Sequence, residues 1–113
     1  MQNNGKLMES QCCEIFHQIA KGLYKMHKHE YIHRDIKPDN VLVKGGVYKI
    51  ADFGFGVRLR DKEEMQEACG TPLYMAPQLV FKEKYTDKCD IWSLGLMLYE
   101  MVFGFNPWPT KHP

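Results

Sequence analysis

The chain predicts an α+β fold that is mainly helical, with one short β-hairpin and one long loop. Three observations carry this. Apolar residues recur every three or four positions over residues 10–28; two β-branched runs flank Lys44-Gly45-Gly46; and ten of the thirteen residues 91–103 are apolar. A 3.6-residue period marks a helix and an alternating or β-branched run marks a strand.

The first helix is expected over residues 10–28, where Cys12, Ile15, Phe16, Ile19, Leu23 and Met26 fall on one face. Ser10 is the expected N-cap, its hydroxyl accepting from a first-turn N–H. Tyr31 and Ile32 read as a short strand. Residues 41–43 and 47–50 read as the two arms of the hairpin, with Lys44-Gly45-Gly46 supplying the positive φ that a tight turn requires. Residues 55–78 carry charges followed by Gly70, Pro72 and Pro77, and read as an extended loop. A connection that long suggests function rather than linkage. The last helix is expected over residues 87–103, closed by Gly104 and the following prolines, and its all-round apolar surface predicts burial on every side.

At 113 residues the chain is at most one small domain, and its 44% apolar and 26% charged residues are ordinary for a globular protein. A net charge of +1 offers no field for nucleic acid or an anionic membrane. The longest apolar run is broken by Ser93, Gly95 and Glu100 and is too short for a membrane span. Cys12 and Cys13 would point about 100° apart on a helix, a poor geometry for one metal ion, and the histidines complete no ligand spacing. With four cysteines and no signal sequence ahead of them, a reducing compartment is expected, the cytoplasm or the nucleus.

The chemistry is concentrated in His33-Arg34-Asp35-Ile36-Lys37-Pro38-Asp39-Asn40, followed 17 residues after Asp35 by Asp52-Phe53-Gly54. Phosphoryl transfer from a nucleotide needs a carboxylate beside the attacking hydroxyl and hard oxygen ligands for Mg²⁺. Asp35 suits the first task, Asn40 and Asp52 the second. This order and spacing resembles the eukaryotic protein kinase family, serine/threonine type. The resemblance covers nearly the whole chain, residues 1–113 being expected to form part of the larger lobe, with the smaller lobe and the final helices outside them.

The resemblance implies ATP and Mg²⁺ as cofactors, a protein serine or threonine as acceptor, and no nucleic-acid partner or membrane insertion. It implies Asp35 as the base, flanked by Arg34; Lys37 as the cation facing the transferred phosphoryl group; and Asn40 and Asp52 as metal ligands. Leu42 is implied as the apolar floor under adenine, with Val41 and Val43 facing the helix below and Met97 and Met101 supporting it. Asp-x-Lys-Pro and Gly70-Thr71-Pro72-x-Tyr74 both point to the serine/threonine branch, with Thr71 bonding near the base. Phe53 is implied to pack under His33, and Gly54 completes that motif. Asp90 is implied to accept from the backbone N–H groups of His33 and Arg34; a plain helix-start carboxylate is the alternative. Asp39 and Glu100 match acids that receive a basic substrate residue, with solvated surface acids as the alternative. Glu67 stands where an activating phosphate is usual in an activation loop, and could pair with Arg34 or belong to a charge run with Glu63 and Glu64. Gln78 departs from the family glutamate. Two functions follow: part of an active serine/threonine kinase, or a non-catalytic remnant or docking module on the same scaffold.

Overall fold

The structure is a computed structural model that describes residues 8–58, 65–66 and 69–108. Helix α1 spans Glu9–Lys28 and presents Cys12, Ile15, Ile19 and Leu23 as its buried face. Its cap is not Ser10, which lies inside the first turn. Met8 occupies the cap position, and its N–H donates to Gln11 Oε1 at 3.0 Å. A glutamine three residues into a helix satisfies an otherwise orphaned backbone donor in this way. Lys25, His27 and Lys28 in the last turn suit the negative end of the helix dipole.

Strand β1 (Tyr31–Ile32) pairs antiparallel with β4 (Val57–Arg58), and β2 (Val41–Lys44) with β3 (Val47–Ile50). Gly45 and Gly46 both have positive φ, 56° and 79°, which is why this two-residue turn closes without strain. The hairpin buries one face only. Val41, Tyr48 and Ile50 pack on the core, while Leu42 and Val43 are 62% and 56% exposed. Val43 shares Val41's face but is exposed and absent from the core, so only Val41 meets the expectation for this pair.

Residues 55–78 are less irregular than their composition suggests. They contain β4, a 3₁₀ turn (Pro72–Tyr74) and helix α2 (Pro77–Val80), and Met65 bridges to Tyr85. Prolines at the first turn of both short helices supply a preset φ where no N–H is needed. Helix α3 (Lys88–Phe103) ends at Gly104 with φ 86°, its N–H donating to Glu100 O at 2.8 Å.

The main core joins α1 to α3 through Ile15, Ile19, Leu23, Leu94, Met97 and Met101, closed by Ile36 and Tyr74. Met97 and Met101 belong to the core cluster on which Val41 packs. Each such side chain contributes about 1.5–3 kcal/mol on burial. A second cluster, Ile32, Ala76, Leu79, Tyr85 and Cys89, seats the loop after β4. Helix α3 is not buried on every side: Ile91 and Phe103 are 48% and 51% exposed, and Trp92 is covered partly by Trp108 stacked at 6.5 Å. Among the described residues it packs on α1, on the 3₁₀ turn at Tyr74 and, through Cys89, on the second cluster, while Ile91 and Phe103 stay open, which corrects the expectation. No described helix is long and apolar enough to cross a membrane.

Candidate active site

The site begins with a carboxylate in the first turn of α3. Asp90, 1% exposed, accepts the backbone N–H of His33 at 2.9 Å and of Arg34 at 2.8 Å. His27, at the end of α1, places Nε2 2.9 Å from the same carboxylate. A buried carboxylate needs several donors to offset its lost hydration, and here three converge on it. For both amides to point at Asp90 the chain turns sharply, and Arg34 takes a left-handed φ of 70°. Non-glycine residues rarely hold that conformation unless surrounding contacts fix it. Arg34 supplies more of those contacts itself, Nε donating to Phe55 O at 2.7 Å and Nη1 to the Tyr85 hydroxyl at 3.1 Å.

His33 fixes the other side of the turn. Its Nδ1 accepts from the Asp35 N–H at 3.1 Å, so Nε2 carries the proton and donates to Ala51 O at 2.9 Å. Phe53 packs edge-on against the same ring, with centroids 5.3 Å apart.

Asp35, set by this turn, is nearly buried at 9% exposure. Asn40 Nδ2 donates to its carbonyl at 2.7 Å and to Oδ2 at 3.1 Å. Thr71 Oγ1 donates to Oδ1 at 2.9 Å, and Lys37 Nζ donates to Thr71 Oγ1 at 2.7 Å. The lysine donation leaves the threonine O–H aimed at Asp35. Thr71 reaches this point because Gly70, with φ 104°, lets the chain pass so close to Arg34 that a Cβ there would stand 2.5 Å from Arg34 O. Lys37, Asn40, Thr71 and Asp35 thus form one connected polar group, with a carboxylate able to receive a proton and a cation beside it.

The second loop is built differently. Asp52, also left-handed at φ 58°, is exposed, and its Oδ1 accepts from the Gly54 N–H at 3.3 Å. The Ala51 N–H donates to Asn40 O at 2.8 Å, which keeps Asp52 beside Asn40 in the fold. Asn40's amide nitrogen is committed to Asp35, so Oδ1 is the atom it has to offer a cation. Among the described residues no three acids, histidines or cysteines cluster as a metal site. Two hard oxygens with phosphate and water completing the sphere is nevertheless the usual way Mg²⁺ is held, so the donor set fits that ion. Leu42 stands on the open face of the hairpin, away from the core.

Asp39 is exposed, while Glu100 accepts from the Tyr74 hydroxyl at 2.6 Å. Burial pushes ionisation of Tyr74 well up, and the Glu100 bond and the charges of Glu100 and Asp39 add to it. Both acids therefore act on one hydroxyl. Gln78 is exposed, and Glu67 lies outside the described residues.

Sequence reasoning missed His27, Tyr74 and Tyr85 as parts of this site. His27 was visible only as a histidine in the last turn of a helix, and its partner lies 63 residues away. Tyr74 was visible as the last residue of Gly70-Thr71-Pro72-x-Tyr74, without a role of its own, and Tyr85 carried no local signal beyond being aromatic in a loop.

A family model for the protein kinase domain matches residues 1–113. Over 113 residues the chain is 44% identical to serine/threonine-protein kinase CLA4 of Candida albicans, covering 98% of this chain and 12% of that protein. It is 43% identical over 110 residues to serine/threonine-protein kinase pakG of Dictyostelium discoideum, covering 95% and 9%. Serine/threonine-protein kinase SKM1 of Saccharomyces cerevisiae is 41% identical over 114 residues, covering 99% and 17%. The chain spans less than a fifth of the length of each of these relatives.

Proposed function

Because the chain belongs to the protein kinase family, of the serine/threonine type, we propose that it carries the base-bearing half of a site that moves the γ-phosphoryl group of ATP to a protein serine or threonine. The observation that carries this reading is the polar group around Asp35, with Thr71 and Asn40 on its carboxylate and Lys37 on Thr71. In the reaction the acceptor oxygen bonds to the γ-phosphorus as the bond to the β-bridging oxygen breaks, ADP leaves, and Asp35 takes the acceptor's proton. Lys37 faces the charge that develops on the transferred group. Asn40 and Asp52 would hold Mg²⁺, which would supply positive charge against the charge that develops on the phosphates. Asp39 and Glu100 favour an acceptor segment with a basic residue near the serine or threonine, since each can give it a charge-assisted bond. Residues 55–78 serve as the activation loop, and the nucleotide's other walls come from further polypeptide.

The exposed Leu42 and Asp52 support the second reading, a scaffold that docks partners without turnover, because these residues alone leave the nucleotide side open. Turnover separates the two. The complete polypeptide is expected to transfer labelled phosphate to serine or threonine in a basic peptide, and Asp35→Ala to lower kcat by about a thousandfold or more with ATP still bound. No transfer from the complete polypeptide with ATP, Mg²⁺ and a panel of basic peptides would favour the docking reading.

A further inference from the structure

Tyr85 stands between the loop after β4 and the turn that sets Asp35, and the proposed reaction gives it no task. Its side chain is buried with Ile32, Ala76, Leu79 and Cys89, in a cluster against which Met65 also packs. Its backbone exchanges hydrogen bonds with Met65, the Met65 N–H donating to Tyr85 O at 2.9 Å and the Tyr85 N–H to Met65 O at 2.8 Å. Such an exchange is the closely bonded rung of an antiparallel ladder. Gln66 Nε2 adds a bond to Lys82 O at 3.1 Å, so residues 65–66 are seated on residues 82–85 through backbone and side chain together.

The far end of the same side chain reaches the catalytic turn. The Tyr85 hydroxyl accepts from Arg34 Nη1 at 3.1 Å, and both partners are buried. Arg34 holds a left-handed φ of 70°, and the next residue is Asp35. A left-handed arginine persists only while its contacts fix it, and the Tyr85 hydroxyl is one of those contacts. Burial pushes ionisation of that hydroxyl up, against the bond and charge of Arg34, so its oxygen stays a neutral acceptor.

We propose that Tyr85 is a positioning residue that makes the setting of Asp35 depend on the seating of residues 65–66. With Met65 bonded to its backbone, the ring is pinned and its hydroxyl is aimed at Arg34. When residues 65–66 leave, the backbone beside the ring loses both bonds and the cluster loses Met65. The hydroxyl then no longer holds the guanidinium in one place, the turn at Arg34 loosens, and Asp35 spends less time where an acceptor's proton would be. Turnover thereby comes to depend on the order of a segment that touches neither nucleotide nor acceptor. That effect on turnover rests on the kinase reading above; the linkage from Met65 to Arg34 does not.

The test is a double-mutant cycle in the complete polypeptide. Tyr85→Phe removes the hydroxyl and keeps the ring and both backbone bonds, while Met65→Pro removes the N–H that Tyr85 O accepts. Met65→Ala, which trims only the packing on the cluster, replaces the proline variant should that one fail to fold. Each single change should lower kcat about tenfold with KM for ATP and for peptide altered less than about twofold, and the double variant should fall no further than the worse single. Losses that multiply would overturn the proposal, since Met65 and Tyr85 would then act by separate routes, and so would a Tyr85→Phe variant as fast as the parent. The Arg34 Nε–H, which donates to Phe55 O at 2.7 Å, gives a second readout that needs no turnover. Its proton signal in nitrogen-edited spectra should exchange with solvent at least about tenfold faster in both single variants. Unchanged exchange in either variant breaks the linkage. Faster exchange in both, in a polypeptide whose parent transfers no phosphate, would leave the linkage standing and sink the kinase reading instead.

Discussion

The two loops of the site share a left-handed aspartate or arginine and little else. In the loop of residues 33–40, every group that sets Asp35 is bonded by another part of this chain: Asp90 from α3, His27 from α1, Thr71 from beyond the second loop. In the loop of residues 51–56, Asp52 faces solvent and accepts a single N–H from Gly54. The proposed function accounts for the contrast. A base, as proposed for Asp35, must stand within hydrogen-bond reach of one proton, so its geometry is fixed before substrate arrives. A metal ligand, as proposed for Asp52, would be completed by the ion and by phosphate, so it can stay open until they come.

The largest effect is expected from removing the anchor of the first loop. Asp90→Ala strips two amides and an imidazole of their buried acceptor, and should cost about 3–5 kcal/mol of stability. Chemical denaturation would read this as a lower midpoint with an unchanged slope; a loss under about 1 kcal/mol would mean the turn is held by Arg34 and His33 without it. A smaller effect is expected from alkali. The folded Cys89 thiol is raised above its ordinary value of 9.0, by burial first and then by Asp90. Below that value both states keep the proton and the full stability is present. As pH rises above about 9 the unfolded chain sheds a proton that the folded chain retains, so stability falls. Thermal midpoints taken between about pH 8 and pH 10 should therefore decline, and Cys89→Ala should flatten the decline. A steeper fall in the variant would assign the effect elsewhere. The smallest change in stability is expected in the second loop. Asp52→Asn should leave the thermal midpoint in place while weakening Mg²⁺-dependent nucleotide binding in the complete polypeptide. A clear drop in the midpoint would show that this loop is also structurally fixed.

What was legible in the sequence follows the same division. The helices at 10–28 and 87–103 and the hairpin around Gly45-Gly46 were readable because a period or a glycine pair is a local signal. The polar group at Asp35 was readable through motif resemblance. Less was visible where a contact joins distant residues. Strand β4 is two residues long, too short to show a period, and exists because Tyr31 and Ile32 offer it an edge. The cap of α1 passed to Met8 because Gln11 could reach back to its N–H, which a search for serine at the helix start does not find. The apolar surface of α3 was read correctly as composition, yet its burial depends on which neighbours pack there, and among the described residues Ile91 and Phe103 are left open.

The anchoring of His33 by Asp90 spans 57 residues of sequence. On a ribosome adding roughly 5–20 residues per second, residue 90 follows residue 33 by roughly 3–11 s, and it must also clear the exit tunnel. Throughout that interval the Asp35 segment exists without the acceptor that shapes it. The emerging chain therefore sets the Asp35 carboxylate late and all at once, when the start of α3 arrives.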